Sequence, residues 1–309
     1  MSTSENTAQT TTQPTTTTAT TAPVLVTGGT GRTGRRVADR LRAQGHPVRI
    51  ASRSGAAPSA VTSAVTSTVP AAVFDWHDDA GWDAALADTS AVYVCYSPDL
   101  ALPGADAVID AFTARAVRHG VERIVLLSGR GEDGARACED LALAASAATT
   151  VVRCSWFQEN FSEHFLLDGV LAGRVAVPAD QVREPFVSLE DVADVATLAL
   201  TSDTHAGEVL ELTGPAALTF TEVAGVLSAA TGRTVEHVPL TPAEFVAELT
   251  AADVHPEEAE GLAWLFQEVL DGRNTATTDT VERVLGRPAT PFDVFARRAA
   301  AAGAWTLPA

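Results

Sequence analysis

The stretch Thr27-Gly28-Gly29-Thr30-Gly31-Arg32-Thr33-Gly34 constrains the fold more than any other part of this chain. In front of it stands a short apolar run, Val24-Leu25-Val26, and behind it Arg35 to Gln44 carries Val37 and Leu41 four residues apart, on one helical face. Glycines let a chain turn sharply after a strand and bring its backbone against a pyrophosphate. The helix that follows offers unpaired N–H groups and the positive end of its dipole. The spacing reads as G-x-G-x-x-G from Gly29 or as G-x-x-G-x-x-G from Gly28, and Pro47 to Ala51 supplies a second strand at the expected distance. Strand, glycine loop, helix and second strand together predict a dinucleotide-binding unit.

The alternation continues. Apolar runs at Ala72–Phe74, Ala91–Cys95, Arg123–Leu127 and Thr149–Arg153 are separated by helical stretches such as Ala105–His119, and Gly45 sits where a helix C-terminal cap belongs. Such βαβ units imply parallel strands with right-handed crossovers. Beyond residue 155 the pattern is mostly helical. Thr219-Phe220-Thr221-Glu222 and Thr241-Pro242-Ala243-Glu244 fit capping boxes, and Ser188-Leu189-Glu190-Asp191 is a weaker signal of the same kind. The expected fold is α/β: a Rossmann-type doubly wound parallel sheet over residues 23–154, with a smaller, mostly helical, substrate-covering region over 155–309 interleaved with it. Residues 1–22 are dominated by Thr, Ala, Ser and Gln. They contain no apolar core of a secretory signal and too little hydrophobic surface to fold, so a disordered tail is expected.

The charge balance excludes several partners. With 39 acidic and 21 basic residues in 309, and no cluster of cations, the chain lacks the surface needed to displace counterions from nucleic acid. The same acidity disfavours an anionic membrane surface, and no apolar run approaches the roughly 18 residues of a spanning helix. Cys95, Cys138 and Cys154 have no metal-ligand spacing. No metal is expected, and an odd thiol count without a secretory signal suggests a reduced, cytoplasmic protein. Every one of the 21 basic residues is arginine. A chain without lysine has no Walker A loop, no Schiff-base lysine and no Tyr-x-x-x-Lys catalytic pair.

Which dinucleotide is bound follows from the end of the second strand. An NAD site usually carries an acidic residue there to hold the ribose hydroxyls. This chain has Ser52-Arg53-Ser54, where Arg53 can pair with a 2′-phosphate dianion and no carboxylate repels it. Arg32, within the loop, is a second candidate cation. NADPH is therefore the expected cofactor, with Gly28, Thr30, Gly31, Arg32, Thr33 and Gly34 around the phosphates and Ser52 and Arg53 at the ribose.

Several further motifs recur in a characteristic order: Phe74-Asp75-Trp76, Trp156-Phe157-Gln158-Glu159-Asn160-Phe161, Phe186-Val187-Ser188-Leu189-Glu190-Asp191-Val192-Ala193 and Leu212-Thr213-Gly214-Pro215. With the glycine loop, they make the chain resemble the NmrA-like branch of atypical short-chain dehydrogenases. It is most similar to the ergot-alkaloid reductase group (festuclavine synthase and agroclavine dehydrogenase) and its bacterial relatives, over about Val24 to Trp305. The resemblance implies that Asp75 and Trp76 lie beside the adenine and that Tyr96, Ser97 and Pro98 line the cofactor path. It also implies that Ser128 and Gly129 end near the nicotinamide ribose, that Trp156, Phe157 and Asn160 border the nicotinamide and the substrate, and that Asp191 is structural. The sequence departs from the branch between Gly131 and Cys138, where some relatives carry a His or Lys ahead of the acidic residue matching Glu139.

These residues suit hydride transfer to a small aromatic or heterocyclic metabolite. A ketone needs a proton donor for the forming alkoxide, whereas an iminium ion becomes a neutral amine without one. With no lysine and two tyrosines, imine, iminium or conjugated acceptors fit best, in the setting of secondary metabolism. Tyr96, Trp156, Phe157 and Phe161 would offer aromatic walls to a flat cation. Tyr96, His164 and Ser128 are the candidate catalytic groups. His164 follows Asn160 by four residues and would share its face on a helix. Trp156, Asn160 and Phe161 are the candidate substrate contacts, and Glu139 and Asp140 are expected to start a helix or face solvent. Two other functions remain open: a non-catalytic NADP(H)-sensing regulator that binds a protein partner, and a quinone or dye reductase. Oligomeric state is not readable.

Overall fold

A computed structural model describes residues 22–55 and 69–307; the expected tail falls, apart from Ala22, outside them. The strands of the main sheet are β1 (Val24–Thr27), β2 (Val48–Ser52), β3 (Ala72–Val73), β4 (Ala91–Val94), β5 (Arg123–Gly129) and β6 (Thr149–Cys154). In the second half come β7 (Arg174–Val177), β8 (Arg183–Glu184), β9 (Val209–Leu212), β10 (Leu218–Thr219) and β11 (Glu236–Pro239). The first-half helices are α1 (Arg32–Ala43), α2 (Trp82–Leu86), α3 (Ala105–Arg118) and α4 (Asp133–Ala145). They are followed by α5 (Asn160–Glu163), α6 (Leu167–Leu171), α7 (Leu189–Thr201), α8 (Phe220–Thr231), α9 (Pro242–Ala251), α10 (Pro256–Val269), α11 (Thr280–Leu285) and α12 (Phe292–Ala301).

The main sheet runs β3-β2-β1-β4-β5-β6-β9, and every pairing in it is parallel. All four residues of β1 and of β4 are buried, as strands covered on both faces must be. On one face Val37, Ala38 and Leu41 of α1 meet Val192, Val195 and Ala196 of α7 over the sheet. On the other, Ile109, Phe112 and Ala116 of α3 and Ala135, Cys138 and Ala142 of α4 cover it. The seventh strand, β9, is absent from the sequence reading. Its four residues alternate only weakly, and it joins the edge through the register Val151↔Val209 to Cys154↔Leu212.

The second half thus contributes α7 and β9 to the sheet unit and builds a separate core as well. Phe161, Phe186, Phe220, Phe266 and Phe292 fill that core beneath the parallel pair β7–β11. Both expected capping boxes form: Thr219 Oγ1 accepts from the Glu222 amide at 3.1 Å, and Thr241 Oγ1 accepts from the Glu244 amide at 3.3 Å. At α7 the box is completed from elsewhere. Ser188 Oγ accepts from the Glu190 amide, while the carboxylate that caps the Leu189 amide comes from Glu159, 2.8 Å away. Asp191 instead turns toward α12, accepting from Arg287, the Thr290 amide and the Thr290 hydroxyl. Arg36 and Arg40 of α1 pair with Glu190 and Asp194 of α7, and Arg35 and Arg36 pair with Glu163 at the end of α5. This ladder fastens the glycine-loop helix to the second half of the chain.

Candidate active site

The glycine loop closes on itself without room for side chains. Gly28 takes a left-handed φ of +60°, and the Gly31 amide donates to the Gly28 carbonyl at 2.8 Å. A Cβ added at Gly34 would stand 2.3 Å from that carbonyl oxygen, and one added at Gly29 would stand 2.8 Å from Ile50 Cδ1. The N-terminus of α1 has no side-chain cap and no acidic residue in its first turn, so its amides are left to an anion. Strand order reverses between β1 and β4, the place where open α/β sheets bind ligands. There Thr27 Oγ1 donates to the Tyr93 carbonyl and accepts from the Cys95 amide, which ties the two strands together. A bare cradle at an uncapped helix N-terminus fits the pyrophosphate of a dinucleotide.

The other expected cofactor residues surround this cradle in different ways. Arg53 lies exposed just past β2 and makes no ion pair among the described residues. Thr33 is buried, with its hydroxyl 3.5 Å from Cys95 Sγ, so it supports the loop from beneath. Arg32 is held: its guanidinium donates to Asn160 Oδ1 at 2.8 Å and lies 5.9 Å over the Phe157 ring. Burial, with Arg36 also contributing, lowers its pKa from the ordinary arginine value. Asp75 follows β3, half-buried, and accepts from the His77 amide. Trp76 is a core residue, in contact with Phe74, Trp82 and Phe112, and its indole N–H donates to the Cys95 carbonyl. The Tyr96 ring lies 5.3 Å from that of Trp76, while Ser97 is exposed at the mouth of the cleft.

Three expectations for the chemistry are corrected. Phe161 cannot touch a substrate, because it is fully buried among Phe186, Phe220 and Phe292. His164 does not share a helical face with Asn160: α5 ends at Glu163 and His164 is extended, with φ −147°. Desolvation of the ring, and after it the charge of Arg32, lowers the His164 pKa even though the residue keeps exposed surface, which disfavours the protonated form a general acid needs. Glu139 does not face solvent. It is 1% exposed and accepts hydrogen bonds from Ser128 Oγ at 2.6 Å and Arg153 Nε at 2.9 Å. The alternation of β5 explains this, since it turns Ser128 toward α4, onto the same side as Leu126. The Ser128 hydroxyl proton is thereby directed at Glu139. Asp140 is exposed, as expected.

Trp156 is half-buried, its ring 4.4 Å from Phe266, and Asn160 is buried beneath Arg32. Two carboxyls, one buried and one half-buried, were not singled out from the sequence. Glu184 accepts from the Trp156 amide at 3.1 Å, and burial raises its pKa to about 7. Glu132, the N-cap of α4, makes no cap bond. Nothing in their local sequence marks them, because burial is set by contacts far along the chain.

Tyr96→Phe and His164→Ala are each expected to lower turnover by less than about 100-fold, the low end for a general acid. Steady-state rates with NADPH check this. A larger loss would make that side chain the proton donor and favour a ketone or quinone substrate.

Comparison with known proteins agrees with this geometry. A family model described as NAD(P)H-binding matches residues 28–203. An uncharacterised oxidoreductase of Bacillus subtilis is 31% identical over 288 residues, covering 92% of this chain and 96% of its own. Agroclavine dehydrogenase of Claviceps purpurea is 34% identical over 252 residues, covering 76% of this chain and 82% of its own. Among solved structures, the Citrobacter triphenylmethane reductase complexed with NADP(H) superposes with a TM-score of 0.72 at 21% identity, covering 90% of this chain and 99% of that one, and shares its fold. The chain belongs to the NAD(P)H-binding family of atypical, NmrA-like short-chain dehydrogenases and is an NAD(P)H-dependent oxidoreductase.

Proposed function

We propose that this protein is an NADPH-dependent reductase of a small aromatic or heterocyclic metabolite that carries an imine, iminium or conjugated acceptor. The observation behind the reading is the face that α4 turns to the sheet. It carries Ala135, Cys138, Glu139 and Ala142, all buried, with no tyrosine and no lysine. None offers a proton to an alkoxide: the Cys138 thiol is turned to the Leu100 carbonyl, and Glu139 is engaged by Ser128 and Arg153. An acceptor whose reduction leaves no alkoxide, such as an imine, an iminium ion or a conjugated system, does not depend on a donor at that face. Bound NADPH supplies the hydride. The protein's part is to orient the dinucleotide through the glycine loop and to hold the acceptor at the carboxyl ends of β4 to β6, where Tyr96, the β5–α4 loop and Trp156 follow their strands. The ergot-alkaloid relatives support the same substrate class.

NADPH oxidation measured with a panel of cyclic imines, N-alkyl iminium ions, quinones and triarylmethane dyes tests the reading. Imine or iminium turnover is the expected result. Quinone or dye turnover alone would reassign the substrate, and silence across the panel would favour a dinucleotide-sensing role. Arg53 is expected to select the 2′-phosphate. The wild type should bind NADPH at least tenfold more tightly than NADH, and Arg53→Ala should erase that preference, a change of about 1.4 kcal/mol. Calorimetric titration with both dinucleotides checks it, and equal wild-type affinities would remove Arg53 from the site.

A further inference from the structure

The loop between β5 and α4 borders a cavity of about 300 Å³ whose walls include Gly129, Glu132, Arg153, Glu211 and Asn274. It opens at the carboxyl end of β5, the end at which parallel sheets bind ligands, and extends toward β6 and β9, which contribute Arg153 and Glu211 to its wall. Glu132 is built closely into this wall. A Cβ added at Gly129 would meet both its carboxyl oxygens, at 2.3 and 2.4 Å, so the bare end of β5 leaves the space the carboxyl occupies.

Among the described residues the Glu132 carboxyl makes no hydrogen bond or ion pair, although arginines line the same cavity. Arg153 is engaged by Glu139 and Glu211, Arg130 by Glu211 and the Asn274 carbonyl, and Arg273 by Asp271 and Glu268. Arg136, on α4, is exposed, as is Asp133. The charges that act on Glu132 are carboxylates from three elements: Asp99 after β4, Glu139 on α4 and Glu268 on α10. Burial first, and these charges next, raise its pKa to about 8. Asp99, across the cleft, is raised by burial as well. A carboxyl in this setting is still protonated at neutral pH.

We propose that Glu132 is the proton donor of the site and that the acceptor is a neutral imine bound in the β5–α4 cavity. This rests on the reductase reading above and narrows it. The C=N bond gains a hydride at carbon from the reduced dinucleotide and the Glu132 proton at nitrogen. The products are an amine, the oxidised dinucleotide and a Glu132 carboxylate, which regains its proton from water. A carboxylic acid titrating near neutrality matches an imine nitrogen better than the far more basic alkoxide of a ketone.

Glu132→Gln keeps the size and polarity of the side chain and removes the acidic proton. Its kcat/KM with cyclic imines is expected to fall about 100-fold or more, and the loss with N-alkyl iminium ions to be at least tenfold smaller. Wild-type kcat/KM with imines should decline above pH 8, a break missing from the variant. A readout independent of turnover is carbon NMR of labelled glutamate in the NADP-bound protein, where one carboxyl should titrate near pH 8 in the wild type and vanish in Glu132→Gln. Equal losses on imines and iminium ions, or no glutamate titrating above pH 7, would overturn the role of Glu132 alone. Silence of the wild type across the whole panel would overturn the reductase reading and the substrate with it.

Discussion

Gly34→Ala is expected to weaken NADPH binding by at least about 100-fold, or about 2.8 kcal/mol, and to lower the melting temperature. The cause is one methyl group. At Gly34 the new Cβ would lie 2.3 Å from the Gly28 carbonyl oxygen, 2.7 Å from its carbonyl carbon and 2.9 Å from Gly29 Cα. All three are backbone atoms, so no side chain can rotate away. Either α1 lifts from the loop or the loop unfolds from α1, and both separate the helix amides from the pyrophosphate they would hold. A matched control is Gly225→Ala on α8, where an added Cβ meets nothing within 4 Å. Removing a helical glycine there should leave binding unchanged and add roughly 0.5–1 kcal/mol of stability. Fluorescence titration and thermal unfolding of both variants decide the matter. Binding by Gly34→Ala within threefold of wild type would show that the close loop–helix contact is not required.

Much of this architecture is written in short stretches of the chain. The glycine loop, the first six strands and the capping boxes are local signals, carried by residues a few positions apart, and each formed close to where it was expected. β9 was missed because four residues at a sheet edge carry little pattern, and Val209 even remains partly exposed. The capping of α7 was half legible: Ser188 is visible, but its carboxylate arrives from Glu159, 29 residues earlier. The aromatic motif from Trp156 to Phe161 shows how periodicity misleads when a helix is short. α5 has a single turn, so Phe161 turns into the second core and His164 leaves the helical register. Titratable groups were the least legible part. Glu132, Glu139 and Glu184 look alike in sequence. One lines a cavity without a partner, one is locked to an arginine, and one caps the Trp156 amide, because each environment is assembled from distant segments.

Glu139 is where that difference should be largest in stability. Arg153→Met is expected to destabilise the protein by about 3–5 kcal/mol, since it leaves a buried carboxylate with Ser128 as its remaining donor. Glu139→Gln should cost less: it removes the charge but keeps the shape, and Arg153 retains Glu211 at 3.2 Å. The double variant, Glu139→Gln with Arg153→Met, should recover a good part of the loss of Arg153→Met alone, because no unpaired charge stays buried. Denaturant unfolding of the three variants tests this. If Arg153→Met and Glu139→Gln lose the same amount, Glu139 is not held as a charge by Arg153, and the wall of the Glu132 cavity is fixed by packing instead.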